Sequence, residues 1–206
     1  MRRGLFISIE GPDGSGKSTQ IERIKKFLSD NGMEAILTRE PGGTVISEKI
    51  RQIILDKSHI EMDYMTEALL YAASRAQHVA EVIKPALNQG KTVICDRFVD
   101  SSIAYQGYGR GLGDCVEVIN SYAVAGCIPD ITFFMKLEPS IGKKRIREEE
   151  QDRLEKEELE FHNAVFNGYL ELEKKNSDRI ISIDATRGID EISSEIISHI
   201  TRLINK

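Results

Sequence analysis

Residues 11–18 read GPDGSGKS, a match to G-x-x-x-x-G-K-[ST] that lies between an apolar run, LFISIE (5–10), and a helical pattern, KSTQIERIKKFLSDNG. A loop of this kind works only where a strand delivers the chain into a turn and a helix begins at once, so that backbone N–H groups and the positive end of the helix converge on one spot. Gly11 and Gly16 allow backbone angles and a closeness of approach that side chains would block, which lets successive N–H groups face phosphate oxygens. Gly11, Pro12, Asp13, Gly14, Ser15, Gly16, Lys17, Ser18 and Thr19 are therefore expected around the phosphates of a nucleotide. Lys17 is expected to bridge the β- and γ-phosphates and the Ser18 hydroxyl to ligate Mg²⁺. A dinucleotide site does not fit, because the third glycine of G-x-G-x-x-G would fall at Thr19.

The loop dictates a strand-to-helix unit, and the rest of the chain repeats it. Short β-prone runs recur at 34–38, 91–96, 130–135 and 179–184, with helical patterns between them. That alternation predicts an α/β fold, a five-stranded and mostly parallel sheet covered by helices on both faces. In TEALLYAASRAQHVAEVIKPALNQG, residues Leu69, Ala72, Ala73, Ala76, Ala80, Ile83 and Leu87 share one side of a helix, with Tyr71, Arg75 and His78 opposite. The stretch 137–161 is dense in both charges and poor in apolar periodicity, which predicts a solvated, movable segment. With 206 residues the expectation is a single domain, 1–206, carrying a lid at about 140–155. No apolar run approaches a membrane span and no secretory signal is visible, so a cytoplasmic protein is expected. A net charge of −5 argues against nucleic acid as partner. Cys95, Cys115 and Cys127 lack metal-site spacing and read as buried reduced thiols.

A phosphate loop serves switches, motors and kinases alike, so the acceptor side must decide. The base-reading Asn-Lys-x-Asp of guanine-nucleotide switches is missing, the only Asn-Lys being the terminal Asn205-Lys206. CDRF (95–98) ends an apolar strand, and the carboxyl ends of parallel strands face the ligand crevice. Asp96 can serve the metal or its water and Arg97 can hold a phosphate; a surface ion pair accounts for the two residues equally well.

IEGPDGSGKSTQ, TREPGGT, LLYAASRAQHV, CDRFVDSSIAYQGYGRG and IDATR together resemble the thymidylate kinase family, over about residues 5–200. The resemblance implies a P-loop kinase three-layer fold and transfer of the γ-phosphoryl group of ATP to dTMP, with Mg²⁺ and a homodimer. It implies that Asp13 accepts a hydrogen bond from the sugar 3′-hydroxyl, that Arg97 grips the acceptor phosphate and that Asp96 serves the metal. Tyr71 would stack on thymine, Arg75 donate to its O4, Tyr105 crowd the 2′ position, Ser102 and Gln106 lie near the base, and Arg51 lie near the phosphate. Arg51, Ser102 and Gln106 also read as solvated helix residues or caps. Members with no arginine in the phosphate loop supply the catalytic one from the lid, and this loop has Gly14 there. Among Arg145, Arg147 and Arg153, the first choice is Arg153 and the second Arg147. Glu148, Glu149 and Glu150 make that lid unusually acidic and read as a solvated face. A deoxynucleoside kinase and a non-kinase P-loop ATPase or switch are the alternatives.

Overall fold

Each of the apolar runs becomes a strand, and the strands assemble as the strand-to-helix rhythm requires. The computed structural model of the chain describes residues 3–145 and 152–205. Phe6–Glu10 (β1), Ala35–Arg39 (β2), Thr92–Asp96 (β3), Ile131–Lys136 (β4) and Ile180–Asp184 (β5) form one five-stranded sheet in the order β2-β3-β1-β4-β5. Every pairing among them is parallel, so the expected "mostly" becomes "all". β1 lies between β3 and β4, and its C-terminal end sets the phosphate loop beside the end of β3.

Alternate strand residues feed two cores. Phe6, Val93, Cys95, Phe134 and Ile180 pack on one face, while Ile7, Ile9, Ile94, Phe133 and Ile183 pack on the other. The second core is closed by Lys17–Asp30 (α1) and Ile189–Ile204 (α9), whose Ile192, Ile196 and Ile200 repeat every four residues as a helix seam must. The first core is covered by Tyr64–His78 (α3), Cys115–Val124 (α6) and Leu159–Lys175 (α8), and Val45–Leu55 (α2) packs on α3.

The long helical pattern does form, but in a broken register. After α3 comes a π-helical turn, Val79–Ile83, and then Lys84–Asn88 (α4). Pro85 explains the break: it has no N–H to donate, and its ring crowds the carbonyl one turn earlier, so the ladder widens there. The faces of this stretch follow the simplest amphipathic reading only in part: Ala72, Ile83 and Leu87 are buried, but so are Arg75 and His78, whereas Leu69, Ala73, Ala76 and Ala80 are exposed. The polar side turns inward because buried acceptors await it there. Val99–Ser102 (α5) runs into a second π-helical stretch, Ile103–Gly109, which packs on α8.

Of the segment expected to be a lid, about 140–155, the described part is α7 (Pro139–Lys143) with Lys144 and Arg145, and the turns that begin at 152 and lead into α8. Arg147 and the run Glu148-Glu149-Glu150 lie outside the described residues. Cys95 and Cys127 are buried free thiols, while Cys115 is only half-buried because it opens α6, so the expectation of burial fails for it. Among the described residues no helix is long and apolar enough to cross a membrane.

Phe134 is fully buried on β4 and stacks on Tyr169 with ring centroids 4.7 Å apart. Phe134→Ala should lower the unfolding free energy by about 3–5 kcal/mol. Urea titration checks this, with the midpoint falling while the slope stays constant.

Candidate active site

The ends of β1, β2 and β3 open onto a single cleft. Its lining brings together Pro12, Asp13, Arg51, Tyr71, Arg75, Asp96, Arg97, Ser102, Tyr105 and Gln106, all of them residues singled out from the sequence. They arrive from separate elements. The loop after β1 supplies Asp13, α2 Arg51, α3 Tyr71 and Arg75, the turn after β3 Asp96 and Arg97, and α5 with its π-helical continuation Ser102, Tyr105 and Gln106.

At the loop, Lys17 is buried at the first position of α1 and donates to Gly11 O (3.1 Å), Pro12 O (3.0 Å) and Asp13 Oδ1 (3.2 Å). Asp13 Oδ2 accepts from Arg97 Nη2 at 2.8 Å, so one carboxylate joins the lysine of the phosphate loop to the arginine across the cleft. Burial pushes the Asp13 carboxyl upward, but the charges of Arg97 and Lys17 outweigh it and hold the group well below the usual carboxylate range. Lys17 is pulled down by burial and by Arg97, and Asp13 restores part of the loss. Ser18 and Thr19 are exposed on the first turn of α1.

Two oxygens here are buried with no hydrogen-bond partner among the described residues, Ser15 Oγ and Asp96 Oδ1. Mg²⁺ is suited by a few hard oxygen donors plus substrate phosphates. The Asp96 carboxylate and the Ser18 hydroxyl fit that demand. Among the described residues there is no cluster of three or more His, Cys, Asp or Glu that would form an all-protein cage.

On the acceptor side, Arg75 is 1% exposed and almost fully spoken for. Its Nε donates to Glu40 Oε2 (2.7 Å), Nη1 to Ser102 Oγ (3.0 Å) and to Asn120 Oδ1, and Nη2 to Phe98 O (3.1 Å). A guanidinium has five N–H groups, so among the described residues one Nη2–H has no acceptor, and Arg75 lines the cleft. Glu40 also accepts from His78 Nδ1 at 2.9 Å, and Thr38 Oγ1 lies 2.6 Å from the other ring nitrogen. Ser102 and Gln106 are buried, which removes their reading as solvated residues or caps. Gln106 Nε2 donates to Glu67 Oε1 at 2.9 Å. Arg51 Nη1 donates to Pro41 O at 2.8 Å. Tyr71 and Tyr105 keep their protons at neutral pH; burial pushes Tyr71 well up and Tyr105 to about 12.

The two described lid arginines part company. Arg153, the first choice from sequence, gives Nε to Ile54 O (2.9 Å) and Nη2 to Glu67 Oε2 (2.5 Å), in a buried cluster with Arg110. Arg145 instead reaches the phosphate loop, where its Nη1 donates to Gly14 O at 3.0 Å. α7 and Arg145 after it rest directly on that loop. A Cβ at Gly14 would meet Gly142 O at 2.8 Å, and one at Gly142 would meet Asp13 O at 2.9 Å, so glycine at both positions is what permits the contact. Sequence reading passed over Glu40, Glu67 and Asn120. An acid in a helix's first turn, as Glu67 is, looks like an ordinary partner for the helix dipole, and nothing local marks Asn120.

A family model described as Thymidylate kinase matches residues 9–196. The thymidylate kinases of Clostridium novyi (strain NT) and Geobacillus sp. (strain WCH70) are 52% and 50% identical over 200 residues, covering 95% of this chain and 98% and 95% of theirs. A crystal structure of thymidylate kinase from Ehrlichia chaffeensis superposes with a TM-score of 0.78 at 34% identity, over 97% of this chain and 99% of that one.

Glu155, in the turn just before α8, lines the same cleft. Burial, with Asp152 and Asp13 adding repulsion, pushes its carboxyl up to about 7 from 4.5. The folded chain therefore holds this proton more tightly than the unfolded one. The stabilisation is complete below about pH 4.5 and is lost as pH rises through about 7. Glu155→Gln should match the parent near pH 5 and exceed it near pH 8, by on the order of 1 kcal/mol. Thermal unfolding across that range measures the difference, and a constant offset would show that the carboxyl titrates normally.

Proposed function

The chain belongs to the thymidylate kinase family, ATP-dependent phosphotransferases that act on dTMP, and from that premise we propose how its cleft divides the work. The carrying observation is the Lys17–Asp13–Arg97 chain of contacts, which sets a donor-phosphate cation and an acceptor-phosphate cation on either side of one carboxylate.

On the donor side, the backbone N–H groups of residues 13–19 and the Lys17 ammonium bind the ATP phosphates, with Gly11 and Pro12 shaping the turn. Ser18 and Asp96 would hold Mg²⁺, which when bound neutralises charge on the donor phosphates. On the acceptor side, Arg97 takes the dTMP phosphate with Arg51 nearby, and Asp13 accepts from the sugar 3′-hydroxyl, since a carboxylate takes a hydroxyl donor well and a phosphate badly. Tyr71 stacks on thymine and Tyr105 crowds the 2′ position, with Ser102 and Gln106 beneath the base. The single uncommitted N–H of Arg75 suits the O4 carbonyl and rejects the amine of cytosine.

Residues 1–206 act as one P-loop kinase domain whose lid, at about 140–155, excludes water from the reacting phosphates. Arg145 takes precedence over Arg153 as the arginine acting on the transferred group, because it is Arg145 that donates into the phosphate loop. A cytoplasmic location is supported by the free thiols. The homodimer is supported by the exposed stripe of Leu69, Ala73 and Ala76 on α3, continued by Ala80 in the π-helical turn, next to exposed Val118 and Tyr122 on the α6 that packs against α3.

With Mg-ATP and a panel of dTMP, dUMP, dCMP, AMP and thymidine, diphosphate should form preferentially from dTMP; phosphorylation of thymidine alone would defeat this reading. Arg145→Ala should reduce kcat by about 10³-fold, and Arg153→Ala by far less. Single-turnover kinetics would expose the reverse order. In sedimentation the protein should run at twice its 23.2 kDa chain mass and Ala76→Glu at the monomer mass; an active wild-type monomer would refute the dimer.

A further inference from the structure

Glu10 closes β1, and its carboxylate is completely buried. Oε1 accepts from Ser8 Oγ (2.8 Å) and from the Phe98 backbone N–H (2.7 Å). Oε2 accepts from Ser101 Oγ (2.5 Å) and Tyr169 OH (3.2 Å). All of these donors are neutral, and burial reinforced by Asp100 raises the carboxyl's affinity for its proton. An apolar side chain in its place would leave the Phe98 N–H and the Ser101 hydroxyl without this acceptor.

What the carboxylate grips is the segment that carries Arg97. Arg97 has φ of 65°, in the left-handed region that residues with a side chain occupy only under constraint. Its own N–H donates to Ile9 O at 2.9 Å, immediately before Glu10. The next residue, Phe98, and the serine one turn on, Ser101, are both held by Glu10. Ser101 Oγ in turn accepts from Arg97 Nη1 at 3.4 Å. We propose that Glu10 is a positioning residue for the acceptor-phosphate arginine: by holding the Phe98 N–H and the Ser101 hydroxyl together, it keeps Arg97 in the left-handed turn that aims its guanidinium across the cleft at Asp13. Glu10 itself touches no substrate. The proposal rests on Arg97 being the ligand of the dTMP phosphate.

The test compares the affinity of the full-length protein for dTMP with that for thymidine, which lacks the phosphate. Calorimetry is run on wild type, Glu10→Gln, Ser101→Ala, Arg97→Ala and the Glu10→Gln/Arg97→Ala double variant, with thermal unfolding as the check on folding. Glu10→Gln should cut the preference for dTMP over thymidine by about tenfold, as a misaligned charge-assisted contact would, and leave ATP affinity within about twofold. Ser101→Ala should move the same ratio in the same direction, by about threefold. In the Arg97→Ala background, Glu10→Gln should have no further effect on the ratio. A preference lost in Arg97→Ala but kept in Glu10→Gln overturns the proposal, as does a further loss in the double variant. If Glu10→Gln does not fold, an unchanged ratio in Ser101→Ala overturns it. A wild-type preference in Arg97→Ala instead removes the assignment of Arg97 to the phosphate, and the proposal falls with it.

Discussion

One carboxylate shared by two cations organises the cleft. Lys17 at 3.2 Å and Arg97 at 2.8 Å both close on Asp13, and neither belongs to the same strand-to-helix unit as the other. Only the parallel pairing of β1 with β3 brings the two turns side by side, since it sets Ile9 opposite Asp96 at the same edge of the sheet. Like charges so near each other would repel without an anion between them. Asp13 supplies that anion within the protein, and the negative charge of the substrates adds to the arrangement.

Around this pair the cleft is built from buried polar clusters, each anchored by one acid. Glu40 holds Arg75 and His78, and Glu67 holds Gln106, Arg110 and Arg153. A guanidinium with four of its N–H groups fixed has little freedom left in its plane, and orientation of that kind is what base recognition requires. Glu40 lies just past the end of β2 and Glu67 in the first turn of α3, so the orientation of Arg75 and Gln106 is fixed from elements flanking the cleft.

The fold was legible from GPDGSGKS and the spacing of apolar runs, because both signals are local: a turn between strand and helix, and β-prone stretches of uniform length. The cleft was legible wherever a motif placed its residues near the loop or at the end of β3. Long-range partners were not. Nothing near Arg75 in the chain announces Glu40 or Asn120, and a polar helix face looks solvated until its buried acceptors are known. The alanine stripe of α3 misled for the same reason, since periodicity finds two sides of a helix without saying which one is covered. The partners of the two described arginines were likewise out of reach: nothing in DRLE announces that Arg153 pairs with the buried Glu67, or that Arg145 donates to Gly14 O.

The glycine-to-glycine seam between the phosphate loop and α7 carries a consequence for how such enzymes can diverge. The backbone at Gly14 lies so near Gly142 that any side chain at position 14 would lift α7, and Arg145 with it. A longer side chain at position 14 and the present seat of Arg145 are thus rival occupants of one space, and a chain could take up the first only by also changing the α7 side of the seam.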